Sequence, residues 1–259
     1  EGRMDLDDTI DRYLPLPNRG DYPTIEALLT HTSGYKSHYF ERPMIANFFH
    51  GRNSFHGISK AMVLEKAGAL HVDQTTHPFV YSNFGYAVLG LVLEAVYEND
   101  YRTLMRTFLH EALKLRDTDL SDGQGDLGHY WDWQADDAYI AAGGITSTMR
   151  DMLLYAKAQL EEDGPLAEGH AALREIHATR DDHASMGIRM DAIGMAWVID
   201  RENNLVWHNG GTGHFNSYMG IDPSSGIAVV VLSNLSPRDR IPATILGIKR
   251  MQELRRVIR

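Results

Sequence analysis

The sequence predicts an α/β (α+β) fold, in which an antiparallel sheet flanked by helices is joined to a mostly helical lobe. Two observations predict it. Before residue 186, apolar residues recur at helical intervals between turn signals. From residue 186 onward, short β-rich runs alternate with turn signals, and an amphipathic segment ends the chain. We therefore divide the chain into a mostly helical lobe at residues 1–185 and a sheet lobe at residues 186–259.

The N-terminal part of the helical lobe contains three helical patterns and one irregular stretch. Asp5–Leu14 is predicted to be an acidic helix that ends before two prolines. Thr24 precedes a brief helix at Ile25–Leu29, and a longer helix is predicted at Ile58–Leu70. The stretch Tyr35–Asn53 is rich in aromatic residues and histidine, and we interpret it as an irregular insertion.

The remainder of the helical lobe is predicted to contain three amphipathic helices. Phe84–Tyr97 and Tyr101–Leu113 both carry apolar residues at helical spacing. Thr148, followed three residues later by Asp151, resembles a capping box at the start of a helix at Met149–Leu160. The middle of the chain is therefore predicted to be helical.

The sheet lobe is predicted to be an antiparallel meander covered by a C-terminal helix. Its strands are predicted at Ile193–Ile199, Leu205–Trp207, Ser217–Ile221 and Ile227–Leu232. In the last segment, apolar residues recur at steps of three or four, as is typical of a helix that covers one face of a sheet. These residues are Ile241, Ile245, Ile248, Met251, Leu254 and Ile258.

Composition excludes several classes of function. The formal net charge of −10 argues against nucleic-acid binding, which requires a basic surface. The sequence has no cysteine, which excludes disulfides, thiol nucleophiles and cysteine-ligated zinc. No apolar stretch approaches the roughly 20 residues of a membrane span, and no signal peptide is visible. A metal hydrolase is the second class of enzyme to weigh, because there are 13 histidines, but no HExxH or HxH string occurs.

A histidine followed by glycines lies between two strand-like runs near the C-terminus. His208 is followed by Gly210, Gly211 and Gly213. Because glycine has no Cβ, a substrate can lie against the main chain there, where a backbone N–H can stabilise a carbonyl oxygen. The alternative interpretation is a hairpin whose turn requires glycine and whose histidine is incidental.

Four stretches together resemble the serine β-lactamase and penicillin-binding-protein family, in its branch with class C β-lactamases, esterases, D-aminopeptidases and D,D-carboxypeptidases. They occur in the order found in the family and extend over nearly the whole chain. The stretches are Ile25–Gly34 (IEALLTHTSG), Val80–Gly90 (VYSNFGYAVLG), Ala141–Thr148 (AAGGITST) and His208–Asp222 (HNGGTGHFNSYMGID), the last continuing into Ile227–Asn234.

The resemblance implies a serine hydrolase and assigns candidate site residues. The family uses SxxK, YxN and KTG motifs, the last with an HxG variant; Tyr81, Ser82 and Asn83 match the second motif, and His208 with Gly210 matches the variant of the third. Tyr81 is the candidate base, and it needs nearby positive charge to lower its pKa from about 10. His208, if protonated, is expected to add to that charge, and the N–H of Gly211 is the candidate oxyanion-hole donor. The substrate-binding candidates are Asn83, Asn209, Gly210 and His214; His214 either narrows the site or is simply exposed.

The SxxK motif, which carries the nucleophile of the family, has no convincing match in this sequence. Ser33 and Lys36 have SxxK spacing, but they lie in a segment that in the family follows the nucleophile, and we interpret the match as accidental. In the family, SxxK precedes a segment similar to residues 4–8, so we expect the true motif, together with the first strands of the sheet, upstream of Glu1.

Two functions remain open at this point. The first is a serine hydrolase that acylates a serine and hydrolyses an ester, an amide or peptide, or a β-lactam, without a metal or organic cofactor. The second is a non-catalytic member of the same fold that acts as a binding or partner protein. The family resemblance favours a periplasmic or secreted location, a cytoplasmic one stays open, and the expected partner is a small-molecule or peptide substrate.

Overall fold

The computed structural model describes residues 2–72, 76–161, 166–236 and 242–258. They form two compact units: one comprises Glu1–Ala112 and Asp119–Thr146, and the other Leu113–Thr118 and Ser147–Arg259. This division differs from the predicted boundary at residue 185. The reason is that helix α7 (Met149–Gln159) packs on the sheet of the second unit, through Ala156 against Met219 and Ile221.

The first unit is largely helical, as its apolar periodicity predicts. Its buried residues form one cluster around the central helix α4, which contributes Phe84, Ala87, Val88 and Val92. In chain order its helices are α1 (Ile25–Leu29), α2 (Pro43–His50), α3 (Lys60–Ala69), α4 (Asn83–Tyr97), α5 (Tyr101–Thr107) and α6 (Ile140–Gly143), and a π-helical segment at Phe108–Ala112 continues α5. A two-stranded antiparallel ladder of β1 (Asp119–Leu120) and β2 (Ile145–Thr146) completes the unit.

Two predictions for the first unit are wrong. Asp5–Leu14 contains only a 3-10 helix at Ile10–Arg12, because the Ile10 N–H donates to the carbonyl of Pro23 and Thr9 bridges to Thr24, which holds the chain extended. The irregular stretch Tyr35–Asn53 contains α2, which has a proline in its first turn and ends at Gly51 in the left-handed region (φ +62°).

The second unit is built on a meander in which six described strands pair antiparallel in chain order. The strands are β3 (Arg174–Glu175), β4 (Ala192–Ile193), β5 (Val198–Asp200), β6 (Leu205–Gly211), β7 (Asn216–Asp222) and β8 (Ile227–Ser233). The predicted strand Ile193–Ile199 is two short strands, because the chain reverses between β4 and β5, with Ala196 at φ +69°.

Helices cover both faces of this sheet. The C-terminal helix α9 (Ala243–Ile258) packs Ile248 and Met251 against Trp207 and Tyr218, while α7 covers the opposite face. The amphipathic pattern therefore predicted the covering role of α9, although Ile241 of that pattern lies outside the described residues. The short helix α8 (Asp181–Ser185) precedes β4. None of the described helices combines the length and apolar composition that crossing a bilayer requires.

Candidate active site

Tyr81 and Asn83 lie where an extended segment enters helix α4. Ser82 is the N-cap of this helix, and its Oγ accepts a hydrogen bond from the Gly85 N–H at 2.9 Å. Asn83 is the first residue of the helix. Ser82, and not Asn83, therefore supplies the cap of this helix. Among the described residues, no hydrogen bond to the Asn83 side chain is found, so its amide can serve a bound molecule.

The segment before α4 is held by residues 31 and 32, about fifty positions earlier in the chain. The Ser82 N–H donates to Nδ1 of His31 at 3.0 Å, and the Val80 N–H donates to the His31 carbonyl at 2.9 Å. The His77 N–H donates to the carbonyl of Thr32 at 3.0 Å. His31 is thus a functional candidate that sequence reasoning missed; the signal was its place in the HTSG string, which was noted only as a family resemblance.

The phenol of Tyr81 lies against the imidazole of His31, with ring centroids 4.3 Å apart. Burial raises the pKa of Tyr81 above its ordinary value, although the residue keeps 43% of its surface exposed. This direction is opposite to the one that a base requires. The role of Tyr81 as a base therefore requires a nearby positive charge that lowers its pKa.

Strand β6 carries the second group of candidate residues, His208, Asn209, Gly210 and Gly211. Sequence reasoning ended this strand at Trp207, but it continues to Gly211 because Gly210 and Gly211 pair with Ser217 and Asn216 of β7. A Cβ at Gly210 would lie 2.8 Å from Ser217 Oγ, so this close pairing favours glycine.

The outer half of β6 has one open edge. The register of β5 against β6 ends at Trp207, so among the described strands only β7 pairs with His208 to Gly211. The Thr212 N–H donates to the Phe215 carbonyl at 2.9 Å in continuation of the β7 register. Since hydrogen-bonding direction alternates along an antiparallel strand, the main-chain groups of Asn209 and Gly211 point away from β7, toward the open edge.

The side chains of this strand are divided between the two sheet faces. Asn209 donates from Nδ2 to Thr244 Oγ1 of α9 at 3.0 Å, so it is already engaged on that face. His208 faces the other way and is partly buried. Burial is the main cause that lowers the pKa of His208 below 6.5, which favours a neutral imidazole and contrasts with the expectation that a protonated His208 adds positive charge. His214 is exposed in the turn after β6.

Ser33 and Lys36 do not form a nucleophile and lysine pair of the SxxK type. That motif needs both side chains on one face of a helical turn, and residues 33–36 are not helical. Ser33 is 1% exposed and its Oγ accepts from the Tyr35 N–H, whereas Lys36 is exposed. Gly34 adopts φ +78°, which breaks any helical continuity between them.

Aromatic residues distant in the chain meet within the first unit. Phe55, which follows the stretch Tyr35–Asn53, stacks on Tyr139 with ring centroids 4.3 Å apart and meets Trp131 edge-on at 6.3 Å. Trp131 in turn contacts Trp133 at 5.8 Å. Among the described residues, no group of three or more histidine, aspartate or glutamate side chains is arranged to hold a metal ion.

Comparison with known proteins gives consistent matches over most of the chain. A family model described as Beta-lactamase matches residues 1–248. Protein flp of Staphylococcus aureus (strain MRSA252) is 23% identical over 260 aligned residues, which cover 91% of this chain and 49% of that protein. The chain thus spans about half the length of the curated relatives it matches.

Two solved structures resemble the chain in fold. An octameric penicillin-binding protein homologue from Pyrococcus abyssi gives a TM-score of 0.76 at 21% identity, covering 98% of this chain and 60% of that one. A β-lactamase/D-alanine carboxypeptidase from Yersinia pestis, complexed with citrate, gives 0.71 at 20% identity and covers 97% and 76%. Likeness at this level of identity shows the shared fold.

Proposed function

This chain belongs to the Beta-lactamase family, and from that premise we propose that it acts as a serine hydrolase that cleaves an ester, an amide or peptide, or a β-lactam. The SxxK, YxN and KTG motifs of the family are those of serine hydrolases. The proposed reaction begins with transfer of the acyl group to a serine and ends with its hydrolysis by water. The proposal places that serine in an SxxK motif that precedes residue 1.

The observation that carries the proposal is the open edge of β6. An acyl carbonyl that becomes negatively charged in the transition state needs N–H donors that are already oriented. The Gly211 N–H points toward the edge that β5 leaves unpaired. We assign Gly211 as one oxyanion donor, with the N–H of the nucleophilic serine as its partner.

Tyr81 is proposed as the base. It would accept the serine proton as the serine oxygen forms its bond to the acyl carbon, and return that proton to the leaving group as the scissile bond breaks. Burial alone raises its pKa, so the lysine of the SxxK motif must supply the positive charge that favours the phenolate. In the second half of the reaction, Tyr81 would take a proton from the attacking water.

Asn83 and His208 are proposed to bind and orient. The Asn83 amide would donate to the substrate carbonyl and hold the SxxK lysine. His208, as a neutral imidazole, would form hydrogen bonds with the substrate and would not contribute a positive charge. A histidine in this position resembles the esterase and peptidase members of the family more than dedicated β-lactamases, so esters and peptides are the first substrates to test.

The test is covalent labelling of the purified protein with a fluorophosphonate probe, followed by intact mass measurement and sequencing of the labelled peptide. An adduct on a serine of an SxxK motif supports the proposal. An adduct on Ser33 would show that the SxxK spacing of Ser33 and Lys36 is not accidental. No adduct, together with no turnover of ester, peptide or β-lactam substrates, would contradict the proposal and favour a non-catalytic binding protein of the same fold.

Variants then test the assigned roles. His208→Ala should lower turnover by about a hundredfold or more, since it removes a polar group beside the reacting carbonyl. The matched control is His110→Ala in the π-helical segment after α5, outside both candidate motifs, and it should retain turnover. Near-normal turnover in a folded His208→Ala protein would contradict the assignment of His208 as a residue that binds and orients the substrate.

A further inference from the structure

We infer that His31 is a positioning residue for Tyr81, acting as a neutral hydrogen-bond acceptor that fixes the backbone on which the phenol is mounted. The inference rests on the proposed function, because it concerns how the proposed base is held. It is drawn from contacts between two segments that are 51 positions apart in the chain.

The hydrogen bond at Ser82 determines the chemical state that His31 must have. A backbone N–H can only donate, so Nδ1 of His31 must accept, and the ring proton must then be on Nε2. The 3.0 Å distance is that of an ordinary N–H to nitrogen hydrogen bond. An imidazolium, with protons on both nitrogens, has no acceptor to offer Ser82.

The backbone conformation of His31 also supports this positioning role. His31 follows the end of α1 in the left-handed region, at φ +56°, which is uncommon for a residue with a Cβ. In this conformation its carbonyl accepts from the Val80 N–H while its ring accepts from the Ser82 N–H. The two hydrogen bonds fall on either side of Tyr81, so they fix the orientation of its Cα to Cβ bond.

The rings around His31 limit movement of the imidazole itself. It is 2% exposed, and its centroid lies 4.3 Å from the ring of Tyr81, 5.0 Å from Tyr86 and 5.8 Å from Phe79. Tyr86 is tied in turn by its hydroxyl, which donates to the Leu29 carbonyl at 3.0 Å. Tyr81 has the nearest of these rings, so a substitution at residue 31 should mainly change the position of the Tyr81 side chain.

The choice of variants separates the acceptor from the backbone conformation. Asparagine and glycine both tolerate the left-handed region. Asparagine places its side-chain carbonyl oxygen near the position of Nδ1, whereas glycine offers no acceptor. His31→Asn should keep kcat within about fivefold of the natural protein, and His31→Gly should lower kcat by about tenfold or more while KM changes little, since small misplacement of a catalytic group is costly.

A double-mutant cycle with Tyr81→Phe tests whether His31 acts through Tyr81. If it does, His31→Gly should cost about tenfold in kcat on its own but much less in the Tyr81→Phe background. Equal losses in both backgrounds, or a folded His31→Asn protein that loses as much activity as His31→Gly, would overturn the inference. If His31→Gly does not fold, a folded His31→Asn protein whose kcat falls by clearly more than about fivefold would overturn the inference.

The same data distinguish failure of the inference from failure of the proposed function. If Tyr81→Phe leaves kcat unchanged, Tyr81 is not the base, and the proposed role itself fails. If Tyr81→Phe abolishes most activity while His31→Gly stays within about threefold of the natural protein, only the inference about His31 fails. Thermal unfolding of each variant is measured alongside, so that a loss of folded protein is not counted as a loss of kcat.

Discussion

Replacing Gly211 with proline removes a single N–H from the open edge of β6. The ladder to β7 uses the main-chain groups of Gly210 and Thr212, whose hydrogen bonds point the other way. Proline is tolerated in strands where its missing N–H faces an unpaired edge, and an extended Gly210 suits the residue before a proline. The substitution should therefore leave the strand in place and delete the proposed oxyanion donor.

The expected magnitude follows from the charge that this N–H would stabilise. Loss of one oxyanion-hole donor costs about 3 to 4 kcal/mol of transition-state stabilisation, which lowers kcat by about a hundredfold to a thousandfold. Gly211→Ala is the matched control, because it adds a methyl group but keeps the N–H. We expect Gly211→Ala to retain most of its kcat, and the difference between the two variants to report the hydrogen bond.

The assay is steady-state and burst-phase hydrolysis of a chromogenic ester, with unfolding by urea measured for both variants. Burst-phase data separate acylation from release of the acyl group. If folded Gly211→Pro protein turns over substrate within about threefold of Gly211→Ala, the Gly211 N–H does not stabilise an oxyanion. The assignment drawn from the strand geometry would then be refuted.

Three further predictions concern the base, pH and stability. Tyr81→Phe should lower kcat by about a hundredfold with little change in the urea midpoint, because it removes only the hydroxyl; unchanged kcat would exclude Tyr81 as the base. Burial lowers the pKa of His170 below 6.5. As the pH falls below that value, the unfolded chain binds a proton at this histidine before the folded protein does, so the free energy of unfolding decreases. His170→Gln should flatten the decline in unfolding free energy between pH 7 and pH 5, and an equally steep decline would contradict this. Asp151 is 1% exposed and accepts from the Asp117 N–H at 2.7 Å, so Asp151→Ala should cost about 2 to 3 kcal/mol in urea unfolding. The exposed neighbour Arg150→Ala should change it by less than about 0.5 kcal/mol, and equal effects would contradict the role of Asp151.

Secondary structure was predictable where the local signals agreed with one another. Thr148 caps α7 with its side chain, accepting from the Asp151 N–H, as the capping-box pattern predicts. At Tyr35–Asn53 the proline at residue 43 was a usable helix-start signal that was outweighed by the aromatic composition. The extension of β6 into glycines was not predictable locally, because pairing with β7 outweighs the low strand propensity of glycine.

The candidate site residues Tyr81, Asn83 and His208 stay predictions, and their supporting contacts could not be predicted from the sequence. Asn83 begins α4 and His208 lies on β6, beyond the predicted end of that strand at Trp207. The contact between His31 and Ser82 crosses 51 positions, and no spacing rule reports a contact of that range. The direction of the pKa of His208 also depends on burial, which the sequence does not express.

The hydrogen bonds between His31 and the segment before α4 also allow separation of these two segments to be measured directly. The amides of Val80 and Ser82 precede the helix and depend on a partner far away in the chain. Their hydrogen exchange therefore measures how often the two segments separate, independently of the opening of α4 itself. An inhibitor that binds at Tyr81 should slow exchange at these two amides, and a destabilised α1 should accelerate it before the helices of the unit unfold.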